Sequence, residues 1–369
     1  MNRQQDTDGR LGMLLPQRVV LVRALVLGDM LCAVPAFRAL RKALPKAHVL
    51  LVGLPWARDF AARFSAYLDG FLEFPGFPGL TERSPNLGQI PGFLQTVQQA
   101  RFDLAIQLHG NGLLTNPLTT LLGARQNAGF YQPGQWCPDP DWFLPYPDDE
   151  PEVRRLLHLM GFLGAPSESE ALEFPLRDDD FEALQSIPQA RRLQSGSYVC
   201  IHPGASVPAR RWKLEGFAAV ADALAHHGLK VVITGSLAEA DLAEAVSRQM
   251  SGSTVNLAGR TSLGALAALL SGARLVVCND TGISHLAAAL RVPSVVIVLS
   301  SDPHRWAPSD TRRHRVVSHA VSCRPCGQAV CPIGFPCSEG ISVDVVRQTA
   351  LDLVADFATE AMPSLRGVP

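Results

Sequence analysis

Residues 275–290 read LVVCNDTGISHLAAAL. An apolar run stops at Asn279-Asp280, and a helical pattern resumes behind Thr281-Gly282 with His285 one turn in. A Leu-Val-Val-Cys run without polar alternation predicts a strand covered on both faces, and therefore a parallel sheet. The carboxyl end of such a strand opens into the crevice where ligands bind, and the helix that follows presents unpaired N–H groups there. An anion suits that place. Two plainer readings stand beside it: Asp280 as the N-cap of the next helix, and His285 as a buried, hydrogen-bonded histidine.

The same grammar extends in both directions. In the second half SYVCIHPGA, KVVITGS, TVNLAG, RLVVCND and PSVVIVLS read as strands, and LEGFAAVADALAHHG, EADLAEAVSRQM, LGALAALLSGA and ISHLAAALRV as the helices between them. In the first half RVVLVRALVLGDMLCAVPAFRALRKALP opens with a β-branched strand, turns at Leu27-Gly28-Asp29 and continues as a helix to Pro45, and HVLLVGLP and FDLAIQLHG are further strands. A Pro-rich, acidic stretch from YPDDEPE to FPLRDDD carries one helix, near Val153 to Leu163, and reads as a linker zone. Alternation of this kind predicts an α/β protein of two doubly wound, Rossmann-like halves. The expected boundaries are 16–180 and 186–345, with 346–369 as a C-terminal helix and tail returning to the first domain.

Size and charge narrow the field. At 369 residues and 47% hydrophobic content there is material for two cores. The 33 basic and 34 acidic residues nearly cancel, which removes the electrostatic case for a nucleic-acid partner. Met1 to Arg10 is polar, and Arg18, Arg23 and Asp29 interrupt the apolar stretch behind it, so neither a signal peptide nor a membrane span is expected. Cys32, Cys137, Cys200 and Cys278 sit apart, as reduced cysteines of a cytoplasmic protein do.

Three strand ends of the second half carry small and hydroxyl residues where helices begin: His202 to Ser206, Thr234 to Ser236, and Asn279 to Gly282. Their amides and hydroxyls can surround a diphosphate, with Arg210 and Arg211 supplying charge. In the first half Asp29 stands at a strand end, placed either to cap its helix or to serve as a general base. His109 and Asn111, at another strand end, are candidates for acceptor contacts, and Arg23 and Trp56 are weaker ones.

LGDMLCAVPAFRALRKALP, HPGASVPARRWKLEGFAAVADAL, NLAGRTSLGALAALLSGARLVVCNDTGISHLAAAL and RVPSVVIV resemble the successive motifs of glycosyltransferase family 9, the ADP-heptose:lipopolysaccharide heptosyltransferases. The resemblance runs from about Arg18 to Val346. It implies a GT-B fold, with the acceptor in the N-terminal domain and the donor in the C-terminal one. The implied reaction is metal-independent, inverting transfer of a sugar, a heptose in this family, from a nucleotide diphosphate to a lipopolysaccharide core or related glycolipid. By the same resemblance Asp29 matches the general base, Asp280 holds donor-sugar hydroxyls, Thr281 and Gly282 meet the diphosphate, and His285 closes the motif. Glu239 of GSLAEADL matches the acidic residue on the donor ribose; Ser206 is a diphosphate candidate from its strand end, His202 to Ser206, alone. Where the family shows Lys-x-Trp-Pro, this chain has Arg210-Arg211-Trp212-Lys213; Arg210 takes the lysine's place, with Lys213 beside it as a substitute. No cofactor is implied beyond the nucleotide-sugar substrate, and any contact with the inner membrane is peripheral, at its cytoplasmic face. The rival readings are a sugar-nucleotide epimerase of the same build and a silent nucleotide-sugar-binding protein.

Cys323, Cys326, Cys331 and Cys337 form a separate C-x2-C-x4-C-x5-C cluster. The first pair has zinc-ligand spacing and the rest do not, so a structural zinc site, disulfides, free thiols and an iron–sulfur remnant all stay open.

Overall fold

The computed structural model describes residues 9–166, 169–360 and 365. The chain divides into two compact units, residues 1–171 and 172–369.

In the first unit, a short helix α1 (Arg10–Leu14) precedes β1 (Arg18–Val22), α2 (Leu27–Ala43), β2 (His48–Gly53), α3 (Ala57–Arg63) and β3 (Gly70–Glu73). Then come α4 (Ile90–Gln99), β4 (Leu104–Gln107), α5 (Thr115–Leu121), β5 (Gln126–Tyr131), β6 (Phe143–Pro145) and α6 (Glu152–Leu163). The six strands form one parallel sheet in the order β3-β2-β1-β4-β5-β6. Its core gathers Val20, Val22, Val52, Phe74, Phe93 and Leu118.

The second unit repeats the plan. Helix α7 (Asp178–Ser186) leads into β7 (Tyr198–His202), α8 (Leu214–His226), β8 (Lys230–Ile233), α9 (Ala240–Gln249), β9 (Thr254–Asn256), α10 (Leu263–Ser271) and β10 (Leu275–Asn279). After these follow α11 (Gly282–Ala289), β11 (Ser294–Val298), α12 (Pro303–Trp306), β12 (His314–Ser318), α13 (Pro336–Glu339) and α14 (Val343–Asp356). The sheet order β12-β11-β10-β7-β8-β9 is the same winding read from the other edge. In both sheets the chain reverses direction between the first and fourth strands, which places a switch point beside β1 and β4 and another beside β7 and β10.

The central strands are the long apolar runs, because helices cover them on both sides; all five residues of β10 are buried. The edge strands β3, β6 and β12, and β5 beside β6, were not expected from the sequence. They are short or partly exposed, so they carry polar residues and no clean run. The turn after β1 also differs from expectation. Leu27, Gly28 and Asp29 are the first turn of α2, and the loop is the stretch from Arg23 to Val26.

Two boundaries shift. Helix α7, which the expected boundaries at 180 and 186 cut through, packs against α10 inside the second unit. The C-terminal helix α14 buries Val346, Ala350 and Leu353 in the second unit's own core and packs on α8.

Candidate active site

In the second unit the switch point is built around one amide. Asn279, the last residue of β10, is fully buried; its Oδ1 accepts the Trp212 N–H at 3.0 Å, and its Nδ2 donates to the carbonyls of Pro203 at 2.9 Å and Gly204 at 3.3 Å. One side chain therefore fixes the loop after β7, the start of the segment leading into α8, and its own strand end. Arg211 Nε adds a bond to the Ala205 carbonyl at 2.8 Å, tightening the same loop. Trp212 is buried against Gly216, where a Cβ would meet the indole at 2.7 Å, so glycine there lets α8 close on the ring.

Beyond Asn279 the chain enters α11. Its N-cap is Thr281, whose side chain accepts from Ile283 N at 3.4 Å, so the cap is Thr281 and not Asp280. Asp280 is buried and accepts a bond from the Ser301 hydroxyl after β11. His285 is buried too and meets Trp306 edge-on, with ring centroids 6.2 Å apart. Thr281 and Gly282 remain partly exposed at the N-terminus of α11. Ser206 is exposed and Arg210 half-buried on the facing loop, while Lys213 Nζ lies 4.0 Å from Glu339 Oε2.

Glu239 joins this group from the loop after β8. Its carboxylate accepts the Ser236 N–H and hydroxyl, both at 2.8 Å, and stands 3.9 Å from His202 Nε2. Burial opposes its charge, but the Ser236 bonds and the neighbouring His202 and Arg211 hold its pKa below the ordinary carboxylate value. Burial in turn holds His202 below the ordinary imidazole value against the pull of Glu239, and its Nδ1 pairs with Thr234 Oγ1 at 3.0 Å. The sequence marked the strand ends that carry His202, Thr234 and Ser236, but not their convergence on Glu239. Ser301 was missed altogether, since a serine after β11 carries no pattern of its own.

In the first unit Asp29 lies in the opening turn of α2, partly exposed. Arg23 was a candidate for acceptor contact, yet its side chain is fully buried and its donors are taken up by the Asp29 and Leu108 carbonyls and by Glu152. Trp56 packs edge-on against Phe60 and borders the core. His109 is buried at the end of β4, with Nε2 3.2 Å from Glu82 Oε1 and Nδ1 3.4 Å from the Ala24 N–H. The bond from His109 is the main reason the Glu82 carboxyl sits below its ordinary pKa. Asn111 Nδ2 donates to Gln132 Oε1 at 2.9 Å, and Gln107 wires the loop from below through Thr115 Oγ1 at 2.6 Å and Gly110 O at 3.1 Å. Glu82, in a loop without periodicity, had no signal in the sequence.

The clustered cysteines form no disulfide and line a small cavity with Ala209, Leu299 and Phe335; Cys326 N–H anchors the loop to the Ser300 carbonyl at 2.8 Å. Burial pushes the Cys337 thiol up, with Cys331 and Cys323 adding to it. Among the described residues no group of three or more His, Cys, Asp or Glu side chains is arranged to hold a metal ion.

Comparison with known proteins gives this arrangement a family. The model for glycosyltransferase family 9 (heptosyltransferase) matches residues 92–335. Lipopolysaccharide heptosyltransferase 1 of Pseudomonas aeruginosa is 25% identical over 336 residues, covering 85% of this chain and 87% of that protein. The lipopolysaccharide core heptosyltransferase OpsX of Haemophilus influenzae is 29% identical over 150 residues, and the match spans only 40% of this chain and 42% of the relative. The structure of Escherichia coli ADP-heptose lps heptosyltransferase II superposes with a TM-score of 0.72 at 18% identity, covering 93% of this chain and all of that one. Two parallel six-stranded sheets with flanking helices are the GT-B architecture of these enzymes. The chain is a glycosyltransferase and belongs to glycosyltransferase family 9, the heptosyltransferases.

Proposed function

We propose that the enzyme transfers a heptose from an ADP-heptose-type donor to a lipopolysaccharide-core acceptor, with inversion and without a metal ion. The observation that carries this reading is the second-unit switch point. There Asn279 draws the Pro203-Gly204 loop beside the N-terminus of α11, with Arg210 and Lys213 close by in the same loop region. Helix N–H groups and cations together suit a diphosphate.

In the reaction the acceptor hydroxyl loses its proton to Asp29 and its oxygen attacks the anomeric carbon. The bond from that carbon to the diphosphate oxygen breaks on the opposite face, and the departing nucleotide keeps the electron pair. Thr281, Gly282, Ser206, Arg210 and Lys213 meet the charge that grows on it, an effect larger in the transition state than in the ground state. Asp280 and His285 face the sugar, Glu239 holds the nucleoside, and His109 and Asn111 meet the acceptor. Among the described residues no helix is long and apolar enough to cross a membrane; we place the enzyme at the cytoplasmic face of the inner membrane through peripheral contact with its glycolipid acceptor.

Asp29→Asn tests the reading. Turnover is expected to fall about 1,000-fold while ADP still binds, because a general base contributes on that order. A fully active variant removes Asp29 from the mechanism. Activity that survives EDTA supports the metal-free part of the proposal, and loss restored by a divalent ion overturns it.

A further inference from the structure

We propose that Arg23 is a positioning residue for the transfer step, tying the turn that carries Asp29 to the strand end that carries His109. The inference rests on Asp29 acting as the base. Arg23 follows β1 directly at the first-unit switch point and is fully buried. Its Nε and Nη2 donate to the Asp29 carbonyl at 3.0 and 2.7 Å, and its Nη1 donates to the Leu108 carbonyl. Behind them Nη2 pairs with Glu152 Oε1 at 3.0 Å, while Glu152 Oε2 takes Arg155 Nη1 at 2.9 Å.

Two buried guanidiniums thus share one buried carboxylate. Burying charge in this way is costly, and apolar packing commonly holds a fold as well or better. What an apolar side chain does not supply is a rigid planar fork whose donors fix two carbonyl oxygens at once. One of those oxygens belongs to Asp29, and the other precedes His109. The guanidinium therefore sets where the base begins relative to the acceptor loop. Placement at that scale matters, because a reacting group moved by about 1 Å loses on the order of 100-fold in rate.

The test uses the full chain, with ADP-heptose and a deacylated lipopolysaccharide core as probes and calorimetric ADP binding to count folded sites. Lysine at position 23 keeps a cation against Glu152 but lacks the fork. For Arg23→Lys, kcat per ADP-binding site is expected to fall about 100-fold, with donor KM and ADP affinity held within about twofold. Glu152→Gln leaves the fork's carbonyl bonds in place; it is expected to lose more melting temperature than Arg23→Lys and less kcat. An Arg23→Lys enzyme with wild-type kcat per site overturns the proposal, as does a Glu152→Gln enzyme whose kcat falls equally far. Asp29→Asn measured alongside separates the two ideas. If that variant is active the base assignment fails, and if it is inactive while Arg23→Lys is not, only the role of Arg23 fails.

Discussion

Glu239 presses against Gly204 so closely that a Cβ at position 204 would lie 2.2 Å from Oε1. The loop after β7 is thus shaped around the carboxylate that Ser236 and His202 hold in place. Gly204→Ala is expected to expel Glu239 from that seat at little cost to the fold, since the carboxylate ends a flexible side chain. ADP affinity should drop about tenfold, equivalent to roughly 1.4 kcal/mol, with only a small change in melting temperature. Isothermal calorimetry checks it, and an alanine variant that binds ADP like the wild type refutes it.

Asn279→Asp changes one atom of the amide that joins two loops. The Trp212 N–H keeps its acceptor, but a carboxylate oxygen now faces the Pro203 and Gly204 carbonyls in a buried site. A stability loss of about 2–4 kcal/mol is expected in urea unfolding, together with a higher donor KM.

Ser301→Ala removes the hydroxyl that donates to Asp280 Oδ2. A hydrogen bond to a charged acceptor contributes about 1.5–3 kcal/mol, so kcat/KM for the donor should fall by about tenfold or more. Unchanged kinetics would show that Asp280 is held by other means.

His314 gives a pH signature independent of catalysis. It is buried, pairs with the Ser294 hydroxyl at 2.8 Å, and burial lowers its pKa to about 4, with nearby Arg313 acting the same way and Asp310 against it. Between the ordinary imidazole value of 6.5 and about 4 the unfolded chain binds a proton that the folded chain does not. Stability is therefore full above that window and declines as pH falls through it, by about 3 kcal/mol in total. Melting curves from pH 7 to 4 should show His314→Gln losing less on acidification than the wild type, and parallel curves would refute the assignment.

How much of this was legible beforehand follows from burial. Strands at the sheet centres announce themselves as unbroken apolar runs, and LVVCND disclosed both its strand and the polar stop behind it. Edge strands such as Gly70–Glu73 satisfy only part of their surface and resemble loops in composition. Candidate residues at or just behind strand ends, His109, Asn279 and Asp280, stood out by position, as did Asp29, which lies one loop beyond β1 in the first turn of α2. The partners that orient them could not: Glu82, Ser301 and Glu152 come from distant segments and are recruited by folding alone. Arg23 was visible as a strand-end cation, but nothing in the sequence showed that its charge points inward.

The bonds described at each switch point join groups of one unit, and on the proposed reading donor and acceptor preferences would travel on separate modules. Hybrids joined near Ala171–Leu172 offer a direct route to recombining them, and mutations drifting in one module can retarget one substrate while the grip on the other is preserved.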